Sequence, residues 1–188
     1  MKCLIQFVVF FLLAANVLAQ DFTTPLVTNS PANFVPFAAT SVRKLRTLYT
    51  TADFATTPHS GLISTVYLAS ASATGGGTWS DFQIWLGQTN ETDFSSTNFS
   101  TGLTLCLSAS SYTISSVTSN GYIAFPLDLP FAYDTSRSLI VEISYNDQIA
   151  GTGFTLRSNN LTGRSVSISG AAQNASTGMM SSAQRTLG

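Results

Sequence analysis

From residue 61 onward the chain is built of short runs in which apolar and polar residues alternate, and this period of two most constrains what it can fold into. "GLISTVYLA" (61–69) sets Ile63, Thr65 and Tyr67 against Leu62, Ser64, Val66 and Leu68. "DFQIWLG" (81–87) sets Phe82, Ile84 and Leu86 against Asp81, Gln83 and Trp85. The pattern returns in "LTLCLS", "YTISSV", "GYIAFPL", "SLIVEISY", "GFTLRS" and "RSVSIS", with Gly, Ser, Asn or Asp between the runs. Successive side chains of a strand point to opposite faces, so such runs predict antiparallel strands with one face buried. Together with "RKLRTLY" they make eight or nine strands, the number for an all-β, two-sheet sandwich of jelly-roll or Greek-key type. No stretch joins apolar residues at three-and-four spacing to a cap, so no long helix is expected. Pro126 cannot donate to a ladder and predicts an edge strand or a bulge. "TGGGT" (74–78) reads as a flexible connector, and "PFAYDTSRS" (130–138) as a turn whose Phe131 and Tyr133 close one end of the sandwich.

Residues 1–19 read as a secretory signal peptide: Lys2, then "LIQFVVFFLLAANVL", then Val17-Leu18-Ala19 before Gln20. The apolar run is short for a membrane span of about 20 residues and Asn16 interrupts it, so no span is expected after cleavage. Residues 20–41 read as an extended arm in which Phe34, Val35 and Phe37 could add a strand to a neighbouring copy. Residues 42–188 form a single domain with a Ser-, Ala- and Gly-rich tail, where "QRTL" could supply a last strand. In the processed chain Cys106 is the only cysteine, so the fold must stand on packing and hydrogen bonds. Alternation in "GLTLCLS" places Leu103, Leu105 and Leu107 on one face and Cys106 on the other, as a small buried hydrophobe.

Ser and Thr together fill 51 of the 188 positions while charged residues make up 9%. Disorder is not the explanation, because 13 Phe and 6 Tyr supply the apolar mass that disordered chains lack. A surface of hydroxyls and amides puts little repulsion between copies and permits lateral packing. Arg43-Lys44-Leu45-Arg46 is the only basic cluster, too small to neutralise a run of phosphates, so nucleic acid is not an expected partner.

His59 is the only histidine, in the turn "TTPHSG", which removes multi-histidine metal sites and reads as a solvated loop residue. Glu142, with Asp81 or Asp128, is the one carboxylate set on which glycoside hydrolysis could rest, but an outward-facing strand residue accounts for Glu142 more simply. "NETD" (90–93) and "DTS" (134–136) lack the acidic density of a dedicated calcium loop, and no metal or cofactor is assigned. Four acceptor triplets for N-glycosylation occur, at Asn90, Asn98, Asn160 and Asn174, all in expected loops or strand ends.

"FQIWLGQTNETDF", followed by "GYIAFPLDLPFAYDTSRSLIVEISY", resembles the β-sandwich modules of secreted surface proteins and adhesins of the Bacteroidetes group, over residues 42 to 169. The matching positions are Ile84, Leu86, Gly87, Thr89 and Phe94, then Gly121-Tyr122, Pro130 to Asp134 and Leu139 to Glu142, with Tyr122 where that family usually has Trp. The resemblance implies a non-catalytic extracellular module used for adhesion or construction. Two readings follow. One is a structural protein of the cell surface that assembles with copies of itself or with other surface proteins, by strand addition into a filament or layer. The alternative is a carbohydrate-binding module whose platform is Trp79, Trp85, Tyr67 and Tyr122.

Overall fold

The computed structural model describes residues 36–37, 43–54, 59–99, 102–170, 173–185 and 187. The expected signal peptide, and Phe34 and Val35 of the arm, lie outside them. Nine strands form two antiparallel sheets facing each other across a hydrophobic core, a β-sandwich: β1 (Arg43–Tyr49), β2 (Gly61–Ala69), β3 (Gly76–Thr89), β4 (Thr104–Ile114), β5 (Tyr122–Tyr133), β6 (Ser138–Tyr145), β7 (Asp147–Gly153), β8 (Ser158–Ser169) and β9 (Met179–Arg185). The larger sheet runs β4-β3-β6-β1-β8-β9, with β7 also on β3, and the smaller is the ribbon β2-β5. This seven-and-two division differs from the even split of a jelly roll. The chain crosses between sheets at β1 to β2, β2 to β3, β4 to β5 and β5 to β6.

The strand count agrees with the sequence but the membership differs. "LTLCLS" and "YTISSV" join into β4, "GFTLRS" is no strand of its own but runs from the end of β7 at Gly153 to the start of β8 at Ser158 with a bridge from Leu156 to Ser70, and β7 and β9 arise from segments without clear alternation. β9 contains the Gln and Arg of "QRTL", and Leu187 bridges to Leu68. "TGGGT" is not a free connector, since Gly76 already begins β3, where it lies against β7. There Gly151 has φ +84, and a Cβ on it would fall 2.5 Å from the Gly76 carbonyl oxygen, so the two backbones can touch only through glycine. Pro126 lies in a two-stranded ribbon, where every strand is an edge, next to a register shift between Ile63 and Thr65.

Val66 and Leu68 of β2 and Phe125 of β5 meet Phe82, Ile84 and Leu86 of β3 and Leu139, Val141, Ile143 and Tyr145 of β6. At one end Phe37 enters this core fully buried, its ring stacked on Phe154 at 4.7 Å and Phe125 at 6.0 Å and edge-on to Trp79 at 5.1 Å. The Phe154 N–H donates to the Phe37 carbonyl and the Tyr145 hydroxyl to that of Pro36.

β6 is buried along its whole length, so both of its faces are covered. Its outer face lies under two segments, 90–99 and 173–178, joined by Phe99 N–H to the Ser176 carbonyl at 2.8 Å and Gly178 N–H to the Thr97 carbonyl at 2.9 Å. Phe94 and Phe99 pack there on Leu48, Ile140 and Val166. Glu142 is therefore not an outward solvated residue: it is 4% exposed, with one oxygen 3.3 Å from Lys44 Nζ and the other 2.5 Å from Arg46 Nη2 and 2.8 Å from Arg46 Nε. The Phe99 ring lies 4.6 Å from the ammonium and 5.2 Å from the guanidinium. Removing one member of a buried ion cluster strands the others, at about 3–5 kcal/mol. Glu142→Gln is accordingly expected to lower unfolding stability by about that amount in urea titration; a loss below about 1 kcal/mol, the range of exposed pairs, would contradict the placement.

Candidate interaction surface

The four aromatics expected to share a platform are spread through three layers. Trp79 is fully buried between the sheets, near Phe37, Phe154 and Tyr145, rather than in a loop before β3. The cause is Asp81, whose φ of +49 breaks the alternation so that Trp79 and Phe82, three apart, both face inward. A short polar side chain tolerates that backbone region. It is held by Asn146 Nδ2 donating to the Asp81 carboxylate at 2.7 Å and Gln173 Nε2 donating to the Asp81 carbonyl at 2.8 Å.

Trp85 stands on the outer face of the larger sheet, as alternation with Phe82, Ile84 and Leu86 requires. It is half-buried, paired across strands with Glu142 and Leu105, and its indole N–H donates to Gln83 Oε1 at 3.1 Å. Tyr67 and Tyr122 lie on the other side of the molecule, on the outer face of the ribbon. Tyr67 opposes Ala124 and Ala69 opposes Tyr122, which makes the two tyrosines diagonal neighbours on one face.

That ribbon face is the most distinctive surface in the described structure. Its cross-strand pairs are Leu62 with Ala132, Thr65 with Pro126, Tyr67 with Ala124 and Ala69 with Tyr122, without a charged residue among them. Leu62 is 60% exposed, Tyr122 44%, and Leu129, in the irregular stretch of β5, 52%. Unbroken alternation would hold Leu62 on the same face as Val66 and Leu68; the register shift after Ile63 turns it outward. Beside this face Tyr122, Ile123 and Ala124 line a cleft of about 280 Å³ with Tyr112, Thr113, Ser115, Ser116 and Thr118.

The carboxylates do not converge. Glu142 is closed in its ion cluster, Asp81 holds the bend in β3, and Asp128 accepts a hydrogen bond from the Ser108 backbone N–H at 3.2 Å, tying β5 to β4. Asp134 accepts from the Ser136 N–H at 2.9 Å, and the bonds from Ser136 hold its carboxyl below the usual carboxylate range. Asp53 receives Arg164 Nη1 at 2.8 Å beside a cleft of about 500 Å³ that also reaches Arg137 and Asn90. Among the described residues no three His, Cys, Asp or Glu side chains come together, and no helix is long and apolar enough to cross a membrane. His59 is exposed.

Phe37 fills its own chain's core. Cys106 is buried as expected, but not opposite all three leucines. A register shift beside Trp85 turns both Cys106 and Leu107 into the inner core, leaving Leu105 outside. Burial pushes its thiol above the ordinary pKa, and its S–H reaches the Thr104 carbonyl at 3.4 Å. Asn90, Asn98, Asn160 and Asn174 are all exposed.

Comparison with family models, with curated proteins and with solved structures finds no match, and no family is assigned.

Two measurements check this layering. Trp79→Ala is expected to cost about 3–5 kcal/mol of stability and Trp85→Ala distinctly less; equal losses would contradict a buried Trp79 and a half-buried Trp85. Because its thiolate is disfavoured, Cys106 should resist alkylation in the folded protein at neutral pH and react once urea unfolds it. Equal rates in the two states would place it at the surface.

Proposed function

We propose that the chain is a secreted, non-catalytic structural or adhesive β-sandwich protein of the cell surface that associates with copies of itself. The observation that carries this reading is the outer face of the β2-β5 ribbon, whose cross-strand pairs carry no charge and on which Leu62 and Tyr122 are exposed, with Asp128 outside the paired positions. A copy of the same face can meet it without repulsion and without stranding a charge. The commitment of Glu142, Asp81, Asp128 and Asp134 to structural bonds supports a non-catalytic role. The leader-like residues 1–19 support an extracellular location. Because Phe37 is consumed within its own core, association through the ribbon face takes the place of strand donation by the arm.

A second reading, carbohydrate binding, draws on Tyr122 at the rim of the hydroxyl-lined 280 Å³ cleft, a neutral setting suited to an uncharged sugar. Loss of a glycan-array signal in Tyr122→Ala would favour it.

Sedimentation velocity of the secreted chain over a rising concentration series tests the first reading. The wild type is expected to form dimers or larger species, and Leu62→Lys with Tyr122→Lys to remain monomeric with an unchanged circular dichroism spectrum. A wild type that stays monomeric at millimolar concentration would end the proposal.

A further inference from the structure

The four glycosylation triplets, scattered over residues 90–176 of the sequence, are gathered by the fold. Asn98 and Asn174 stand in the two segments that cover the outer face of the larger sheet, and a bridge joins Asn98 to Thr177. Asn90 lies where the first of these segments leaves β3. Asn160 flanks the register shift in β8, whose Gly163 carbonyl accepts from the Phe94 N–H at 2.7 Å and so anchors the same cover. All four side chains are exposed. No acceptor triplet begins in β2, β4, β5, β6 or β7.

We infer that the molecule is two-sided: the cover over the larger sheet carries N-linked oligosaccharide at Asn90, Asn98 and Asn174, Asn160 of β8 carries it beside the strand residues that anchor this cover, and the ribbon face is left bare. In the modification, the side-chain amide nitrogen forms a bond to the anomeric carbon of an oligosaccharide supplied as a lipid-linked diphosphate. The bond from that carbon to the diphosphate breaks, the lipid diphosphate leaves, and one amide proton passes to a base of the transferase; nothing is oxidised or reduced. Exposure lets each asparagine carry a bulky hydrated chain without opening the core beneath, where Phe94 and Phe99 remain packed. Sugar on one side shields that side from other proteins. Contact confined to the bare face is isologous, the same patch on both partners, and closes as a pair. The role of the bare face rests on the self-association proposed above; the positions of the sugars do not.

The test is glycopeptide mass spectrometry of the full chain secreted from cultured eukaryotic cells, alongside Leu62→Asn. Because Ile63 and Ser64 follow, that substitution creates a new acceptor triplet in the middle of the ribbon face. Sugar is expected at all four native positions, and Asn98→Gln or Asn174→Gln should leave association unchanged. Leu62→Asn should also be glycosylated and sediment as a monomer, while L62N/S64A, which cannot be glycosylated, should associate more strongly than it. Bare Asn98 and Asn174 overturn the inference, whether or not position 62 is modified in the variant. Sugar at the four native positions on a chain that stays monomeric leaves the two-sided modification standing and removes the self-association.

Discussion

The packing of Phe37 among Trp79, Phe82, Phe125 and Phe154 is the contact on which the remaining architecture depends. It joins a residue ahead of the first strand to β3, β5 and the connection between β7 and β8, and so links both sheets at one end. No disulfide shares this work, since the one cysteine of the described chain is free and buried. Aromatic rings suit the task because each removes a large apolar area from water and adds a geometric preference when rings meet edge-on or offset. Tyr112, stacked on Phe82 at 4.7 Å, extends the cluster towards the open cleft. The core of the domain and the floor of a surface site are thus continuous.

The larger sheet differs from the ribbon in having both faces covered. A sheet with one wet face reads as alternation, whereas one covered on both sides admits apolar residues at every position. "SLIVEISY" has that continuous character, and Ile140 between Leu139 and Val141 is its visible trace. The cover also changes what Glu142 can be. Beneath it the carboxylate needs cations, and Lys44 and Arg46 of the neighbouring β1 supply them. Lys44 and Arg46 of the basic cluster are therefore internal counter-charges for a buried acid and not a patch presented to a partner.

The fold class was legible because period-two patterning is dictated by strand geometry and survives local irregularity. The inward faces of β3 and β6 followed directly from it: Phe82, Ile84, Leu86, Leu139, Val141 and Ile143 all lie in the core. Positions next to breaks in the pleat were misread. Asp81 with its positive φ, the irregularity beside Cys106 and the shift after Ile63 each exchange inside for outside, and they moved Trp79 inward, Cys106 and Leu107 to the same side and Leu62 outward. β7 escaped notice and β9 was anticipated only at its "QRTL" end, because Gly, Ser and exposed Met give no alternation; their strand character comes from pairing with β3 and β8. The ribbon surface was half legible, in Tyr67 and Tyr122. Its apolar partner Leu62 emerged only once the register was known.

The insertion of Phe37 and the position of β1 bear on how the chain is made. Every ring that receives Phe37 comes from later sequence, the last being Phe154, and β1 pairs only with β6 and β8. During synthesis from the amino end, Phe37 and β1 therefore emerge from the ribosome well before their partners exist. Such distant pairings delay chain closure and leave the segment exposed while translation continues. The core around Phe37 can therefore close only after Phe154 has been made.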